Sequence, residues 1–274
     1  MWSMARIYGY LKDPVEHIDA GGNRVDLLAK DPKIKDFLTA MPQVSPGDVD
    51  LSPHCFDMDQ RALSSCVGNG TVESVEILND LAGYKFVPLS RLFIYDMCRI
   101  QEGQVDEHGN PNADQGTHIR QAFNVLATLG VCDEYLWPYS EELVFKSPTF
   151  KAQRQATGHK IHAAYRIDST GDARVADVIA ALRANHPVVF GTGVTQAFED
   201  ISDSTPIGQP SPNDKILGGH CMVIVGYVGG AFKVKNSWGK GWAAGGFCFM
   251  KPDYIAWDQT TDLWVPTLGV QFAA

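Results

Sequence analysis

The chain has 274 residues, 45% hydrophobic and 20% charged, and a formal net charge of -9 at pH 7. This composition describes a folded protein with a substantial core and argues against global disorder. No run of Lys and Arg marks a nucleic-acid surface, and no apolar stretch reaches the roughly 20 residues a membrane helix needs, so neither nucleic acid nor membrane is expected as a partner.

The opening stretch, MWSMARIYGYLKDPVEHIDAGG, contains no apolar core of a secretory signal, which gives the expectation of a cytoplasmic protein. Residues 1–47 mix short apolar clusters with Gly, Pro and Asp turns and are too short for an independent domain. They are expected to lie on the rest of the molecule as a strap that buries Ile7, Tyr8, Leu11, Leu27 and Leu28. The main domain is then 48–274.

Within SCVGNGTVESVEILNDLAG, the positions Cys66, Val67, Gly70, Val72, Val75, Ile77, Leu78 and Leu81 suit a buried helix with Cys66 at its start. Residues 89–99 (LSRLFIYDMCR) and 117–131 (THIRQAFNVLATLGV) predict two more helices, the second stopped by Gly130. The polar stretch QEGQVDEHGNPNADQG between them reads as an exposed loop that leads to Gly116. Further on, VADVIAALRA predicts a helix and HPVVFGTGV a buried strand. HCMVIVGYV and AFKVKNSW form a hairpin about Gly229 and Gly230, and GGFCFM continues the sheet. The fold class is α+β, with a helical part over about 48–160, a β-rich part over 161–274, and an active-site cleft between them.

Six cysteines are scattered without paired metal-ligand spacing, and His159 and His162 in GHKIH have no further ligands nearby, so no metal or cofactor is expected. Cys66 differs from the other five because a helix start favours the nucleophilic thiolate. A thiolate needs a base, for which His220 is the candidate, and the base needs an orienting acceptor, for which Asn236 is placed. A hairpin centred near residue 229 sets His220 opposite a position near 238, with Asn236 within two residues of it.

Gln60 six residues before Cys66 in DQRALSSC, GGH at 218–220, and KNSWG with Asn236 sixteen residues after His220 together resemble the papain-like (C1-type) cysteine peptidases, most nearly their bacterial-type branch. The resemblance extends through LSRLFIYDMCR, DQGTHIRQAFNVLATLGVCDEYLWPYS and GGFCFMKPDYI, over roughly 48–257. It implies a catalytic triad of Cys66, His220 and Asn236, and an oxyanion hole made by the Gln60 side chain and the Cys66 N–H. Trp238 would shield the His–Asn contact, Trp242 would either pack in the core or wall the leaving-group side, and Gly116 would pair its backbone with the substrate.

The implied activity is hydrolysis of a peptide or protein through an acyl-enzyme; a weakly catalytic peptide-binding protein or an acyltransferase would use the same residues. Leu63, Ser64, Ser65 and Val67 replace the family's usual surroundings of the nucleophile, so the cysteine of the family disulfide is absent, in keeping with a reducing compartment. The resemblance also supplies an alternative for residues 1–47, a leader in contact with the cleft that blocks Cys66.

Overall fold

The computed structural model describes residues 6–18, 22–41 and 47–268. Its centre is the helix Cys66–Leu81, buried on every side from Cys66 to Leu78. A helix buried all round must satisfy its polar side chains internally. Asn69 Nδ2 donates to Ser65 O at 2.9 Å and Thr71 Oγ1 to Val67 O at 2.8 Å. Glu73 and Glu76 reach off the helix to accept the N–H groups of Phe56 and Leu89, at 2.9 and 2.8 Å.

The helices Arg91–Gln101 and Ile119–Thr128 pack around it. Ser90 caps the first by accepting from Phe93 N at 3.0 Å, an interaction typically worth about 1 kcal/mol. Gly130, at φ +84°, ends the second where the sequence pattern places its stop. The buried Arg99 pairs with Asp96, lies over the Tyr95 ring, and donates to the carbonyls of Ala113 and Val144 at 2.7 and 2.6 Å. One guanidinium thereby ties two long polar connections to the core.

On the other side, a mostly antiparallel sheet runs in the order Phe247–Met250, Ala231–Lys235, Gly218–Val228, Val188–Val194, Thr260–Leu268 and Ile161–Ile167. Val49–Asp50 adds a short pairing with Tyr227 and Gly226. The helix Gly171–Arg183 packs near this sheet. Segregation of helices and sheet makes the fold α+β. The expected hairpin is present: Val228 pairs with Ala231, and Gly229 and Gly230 both take positive φ, as a two-residue turn requires. Its register runs to Val223 opposite Lys235, and continuing the count places His220 level with Trp238.

The segment before residue 48 is anchored differently from the expected strap. Leu11, Leu27 and Leu28 are half-buried, whereas Ile34 and Phe37 of the short helix Ile34–Thr39 are fully inserted. A polar anchor carries the remainder. Asp13 accepts from Arg166 Nη1 at 2.9 Å, Trp264 Nε1 at 3.0 Å and Arg120 N at 3.0 Å. Arg120 also grips Asp31 with Nε and Nη2 at 3.0 and 2.8 Å.

Burial pushes the Glu76 carboxyl from 4.5 up to about 8; the Leu89 N–H opposes this and the Glu73 charge adds to it. Folding therefore takes up a proton at Glu76, and stability falls as pH rises from about 4.5 towards about 8, by at most about 1.4 kcal/mol per pH unit for one group. Glu76→Gln should flatten the decline of melting temperature between pH 5.5 and 7.5. Indistinguishable slopes for the two proteins would contradict a protonated Glu76.

Candidate active site

Cys66 is the first residue of the central helix and is fully buried. His220 lies in the strand Gly218–Val228, and its neighbour Cys221 brings a backbone N–H to the Cys66 sulfur. Helix and strand meet closely because residue 70 is glycine: a Cβ there would stand 3.1 Å from Cys221 Sγ. Asn236 follows the next strand. His220 Nε2 and Asn236 Oδ1 are 2.8 Å apart, which makes Nε2 the protonated, donating nitrogen and leaves Nδ1 as the acceptor. Nδ1 is buried and has no hydrogen-bond partner among the described residues.

Trp238 lies along the imidazole, ring centroids 4.7 Å apart and planes at 27°. Trp242 stands at 84° to Trp238 at 5.1 Å, and Phe198 touches both, so Trp242 belongs to a buried aromatic cluster behind the histidine. Phe198 is a member of this cluster that sequence reading did not single out. Gln60 is held beside Asn236 by a short ladder, with Gln60 N donating to Ser237 O at 2.8 Å and Gly239 N to Met58 O at 3.0 Å. Ser237 Oγ donates to Gln60 Oε1 at 2.7 Å, which turns Nε2 to the opposite side. That serine, inside the KNSWG motif, is a further residue the sequence left without a role.

The structure thus brings Cys66, His220, Asn236, Gln60 and Trp238 together, and Gly116 lies at the same cleft. What fills the cleft is the chain's own N-terminal segment. Gln60 Nε2 donates to Ile7 O at 3.2 Å and to Leu63 O at 2.9 Å. The Tyr8 ring meets His220 edge-on at 6.2 Å, and the Arg6 guanidinium sits 4.4 Å from the Trp238 ring centre. Thr117 N donates to Gly9 O at 3.0 Å, and Tyr10–Leu11 pairs in parallel with Thr117–His118.

This corrects the expectation of a strap alone: residues 6–10 cross the cleft, and the residues after them brace. Gly116 pairs through its neighbour Thr117, and its own bare Cα admits the segment, since a Cβ would lie 2.0 Å from Gly9 O.

Burial reverses the expected ionisation. A helix start favours a thiolate by typically 0.3–1 kcal/mol, less than one pKa unit. Loss of water outweighs it and pushes the Cys66 thiol from 9.0 up to about 11, although N–H groups of Cys221 and Gly9 pull the other way. His220 is pulled from 6.5 down to about 4 by burial, with the Asn236 bond opposing and the Arg6 charge assisting. The pair is a neutral thiol and a neutral imidazole near pH 7.

A cysteine thus opens the buried helix, and the strand packed on it carries a histidine hydrogen-bonded to an asparagine. A family model described as papain family cysteine protease matches residues 57–260, and the chain belongs to that family. It is 31% identical, over 96% of its length and 87% of the other's, to an uncharacterized peptidase C1-like protein, L477, of Acanthamoeba polyphaga mimivirus. Xylellain, a cysteine protease from Xylella fastidiosa, shares the fold at a TM-score of 0.78 and 28% identity, with 96% of both chains covered. Digestive procathepsin L 3 of Tenebrio molitor larval midgut matches at a TM-score of 0.63 and 21% identity, over 86% of this chain and 79% of that one. The protein is therefore a papain-family cysteine peptidase.

A side chain at Gly9 has nowhere to go, because its Cβ would lie 1.7 Å from the Ser64 carbonyl oxygen. Gly9→Ala should expel the segment without touching the body of the enzyme. Iodoacetamide labelling of Cys66 at pH 7, followed by mass mapping, should be at least about tenfold faster in the variant than in the wild type, where the thiolate is scarce. Equal rates would mean that the segment does not protect the thiol.

Proposed function

We propose that this chain hydrolyses peptide bonds through Cys66, His220 and Asn236, and that residues 6–10 hold it latent by occupying the cleft. The single observation that carries the catalytic reading is the 2.8 Å contact of His220 Nε2 with Asn236 Oδ1, which reserves Nδ1 for the thiol proton. With the segment withdrawn, water returns to the site and the desolvation that keeps both groups neutral is relieved, so the helix start and the attraction between the two charges then act in favour of thiolate and imidazolium.

Cys66 Sγ attacks the substrate carbonyl carbon, and the carbonyl oxygen becomes an oxyanion held by Gln60 Nε2 and the Cys66 N–H. Collapse of this intermediate breaks the C–N bond as the imidazolium gives its proton to the departing amine, leaving a thioester on Cys66. Neutral His220 then takes a proton from water, whose oxygen attacks the thioester. The acid product leaves, and the thiolate–imidazolium pair is restored. Asn236 keeps the ring in the required tautomer throughout, and Trp238 keeps water from that hydrogen bond.

The latent reading rests on Gln60, whose Nε2 is already engaged by Ile7 O and Leu63 O, and on the neutral Cys66 and His220 beneath the segment. In the Gly9→Ala chain, peptide hydrolysis should exceed that of the wild type. Added to that chain, Cys66→Ala and His220→Ala should abolish turnover. Gln60→Ala should lower kcat by about 10²–10³, the usual cost of one oxyanion donor, and Asn236→Ala should reduce the rate less completely than loss of His220. Steady-state assays on a fluorogenic peptide decide this, and full activity without Gln60 or His220 would refute the scheme.

A further inference from the structure

The polar stretch that reads in the sequence as an exposed loop ends near a residue that faces inward. Asp114 is half-buried, and its carboxylate accepts the Ser64 N–H with both oxygens, each at 3.1 Å. Ser64 Oγ donates to the Asp114 carbonyl at 2.9 Å. Behind this contact stands the helix Arg91–Gln101, whose buried Tyr95 and Arg99 lie one turn apart on the same face. Tyr95 donates its hydroxyl to Asp114 Oδ1 at 2.5 Å and accepts the Gly116 N–H at 3.1 Å, while Arg99 holds the Ala113 carbonyl. The carboxylate is therefore fixed from the core side and presents its charge to the loop that leads into Cys66.

The Ser64 N–H belongs to the peptide group between Leu63 and Ser64, and the carbonyl of the same group accepts from Gln60 Nε2 at 2.9 Å. A peptide group is a rigid plane with its C=O and N–H pointing in opposite directions, so whatever holds one end aims the other. Gln60 Nε2 carries two hydrogens. One goes to Leu63 O, and the other, now on Ile7 O at 3.2 Å, is the one left for an oxyanion once the segment departs. Ser237 Oγ fixes the amide oxygen and Leu63 O fixes the first hydrogen, which together set the direction of the second.

We infer that Asp114 is a positioning residue for the oxyanion hole: it orients the Leu63–Ser64 peptide so that Leu63 O turns the remaining N–H of Gln60 towards the substrate's carbonyl oxygen. The inference rests on the peptidase reading above. A carboxylate suits the task, because charge-assisted hydrogen bonds are the strong ones and two oxygens at equal distance from one N–H resist its rotation either way. All six cysteines are free, so no disulfide shares it.

A residue that acts through Gln60 matters only where Gln60 is present. In the full-length Gly9→Ala chain, Asp114→Ala should lower kcat on a fluorogenic peptide at least about tenfold, without exceeding the roughly 10²–10³ that loss of a whole oxyanion donor costs. In the Gln60→Ala form of that chain, adding Asp114→Ala should change kcat by less than about twofold. Asp114→Asn, which keeps one oxygen for the Ser64 N–H, should recover most of the loss. Iodoacetamide labelling of Cys66 should stay within about twofold across the set, since it depends on the thiolate and forms no oxyanion. If Asp114→Ala does not melt cooperatively, Tyr95→Phe, which lacks only the hydroxyl behind Asp114, gives the same comparison: its loss of kcat should likewise vanish without Gln60.

Losses that multiply in the double variant, a parallel fall in alkylation, or an Asp114→Ala chain as active as its parent would overturn the inference. A Gly9→Ala chain that cleaves no peptide removes the peptidase reading and this inference with it, whereas cleavage indifferent to Asp114 removes the inference alone.

Discussion

The approach of the helix Cys66–Leu81 to the strand Gly218–Val228 governs the geometry of this molecule. The two elements come from opposite halves of the chain, and what each contributes is useless alone. Gly70 lets them close until the helix backbone lies within van der Waals reach of Cys221, and that distance sets how near Cys66 stands to His220. From there the rest follows outward. The hairpin at Gly229 and Gly230 fixes the register that brings Trp238 under the imidazole and Asn236 to its Nε2. The ladder between Met58–Gln60 and Ser237–Gly239 then carries Gln60 to the same place. A one-residue slip in the hairpin would turn Asn236 away.

The cleft is lined by absences. Gly116, Gly191, Gly218 and Gly219 each stand where a Cβ would collide with residues 8–10. The GGH motif thereby acquires a steric meaning: bare backbone ahead of the histidine is the floor on which an extended chain lies. Here that chain is the protein's own. It enters past Trp238 and leaves beside Thr117, with Asp13 locked into Arg166, Arg120 and Trp264 beyond the cleft. Burial raises the Asp13 carboxyl above its ordinary range, with the Asp262 charge adding to the effect.

Local patterns carried much of this into the sequence. The central helix, its two companions and the Gly-Gly hairpin are written in spacing and turn chemistry, and His220 and Asn236 could be set near each other by counting from Gly229. Pairings between distant segments left no such trace. Ile161–Ile167 and Thr260–Leu268 have no turn joining them, so their partnership depends on how the whole chain closes. Nothing in the sequence pattern singles out Asp262, on which Arg166, Asp13 and Tyr10 converge. The path of residues 6–10 was equally hidden: Arg6, Tyr8 and Tyr10 are amphipathic residues compatible with strap or plug, and their partners lie up to 252 residues away in the chain.

Covalent attachment changes how such an occupant competes. A segment joined to the body it covers meets the cleft at an effective concentration that short tethers typically bring to about the millimolar range, whatever the concentration of protein. Dilution does not release it. A soluble peptide present at micromolar levels is outnumbered by the tethered one even where its intrinsic affinity is higher. Severing the connection anywhere between residue 13 and the domain would turn the same contacts into a bimolecular association, held only by what those few residues bind on their own.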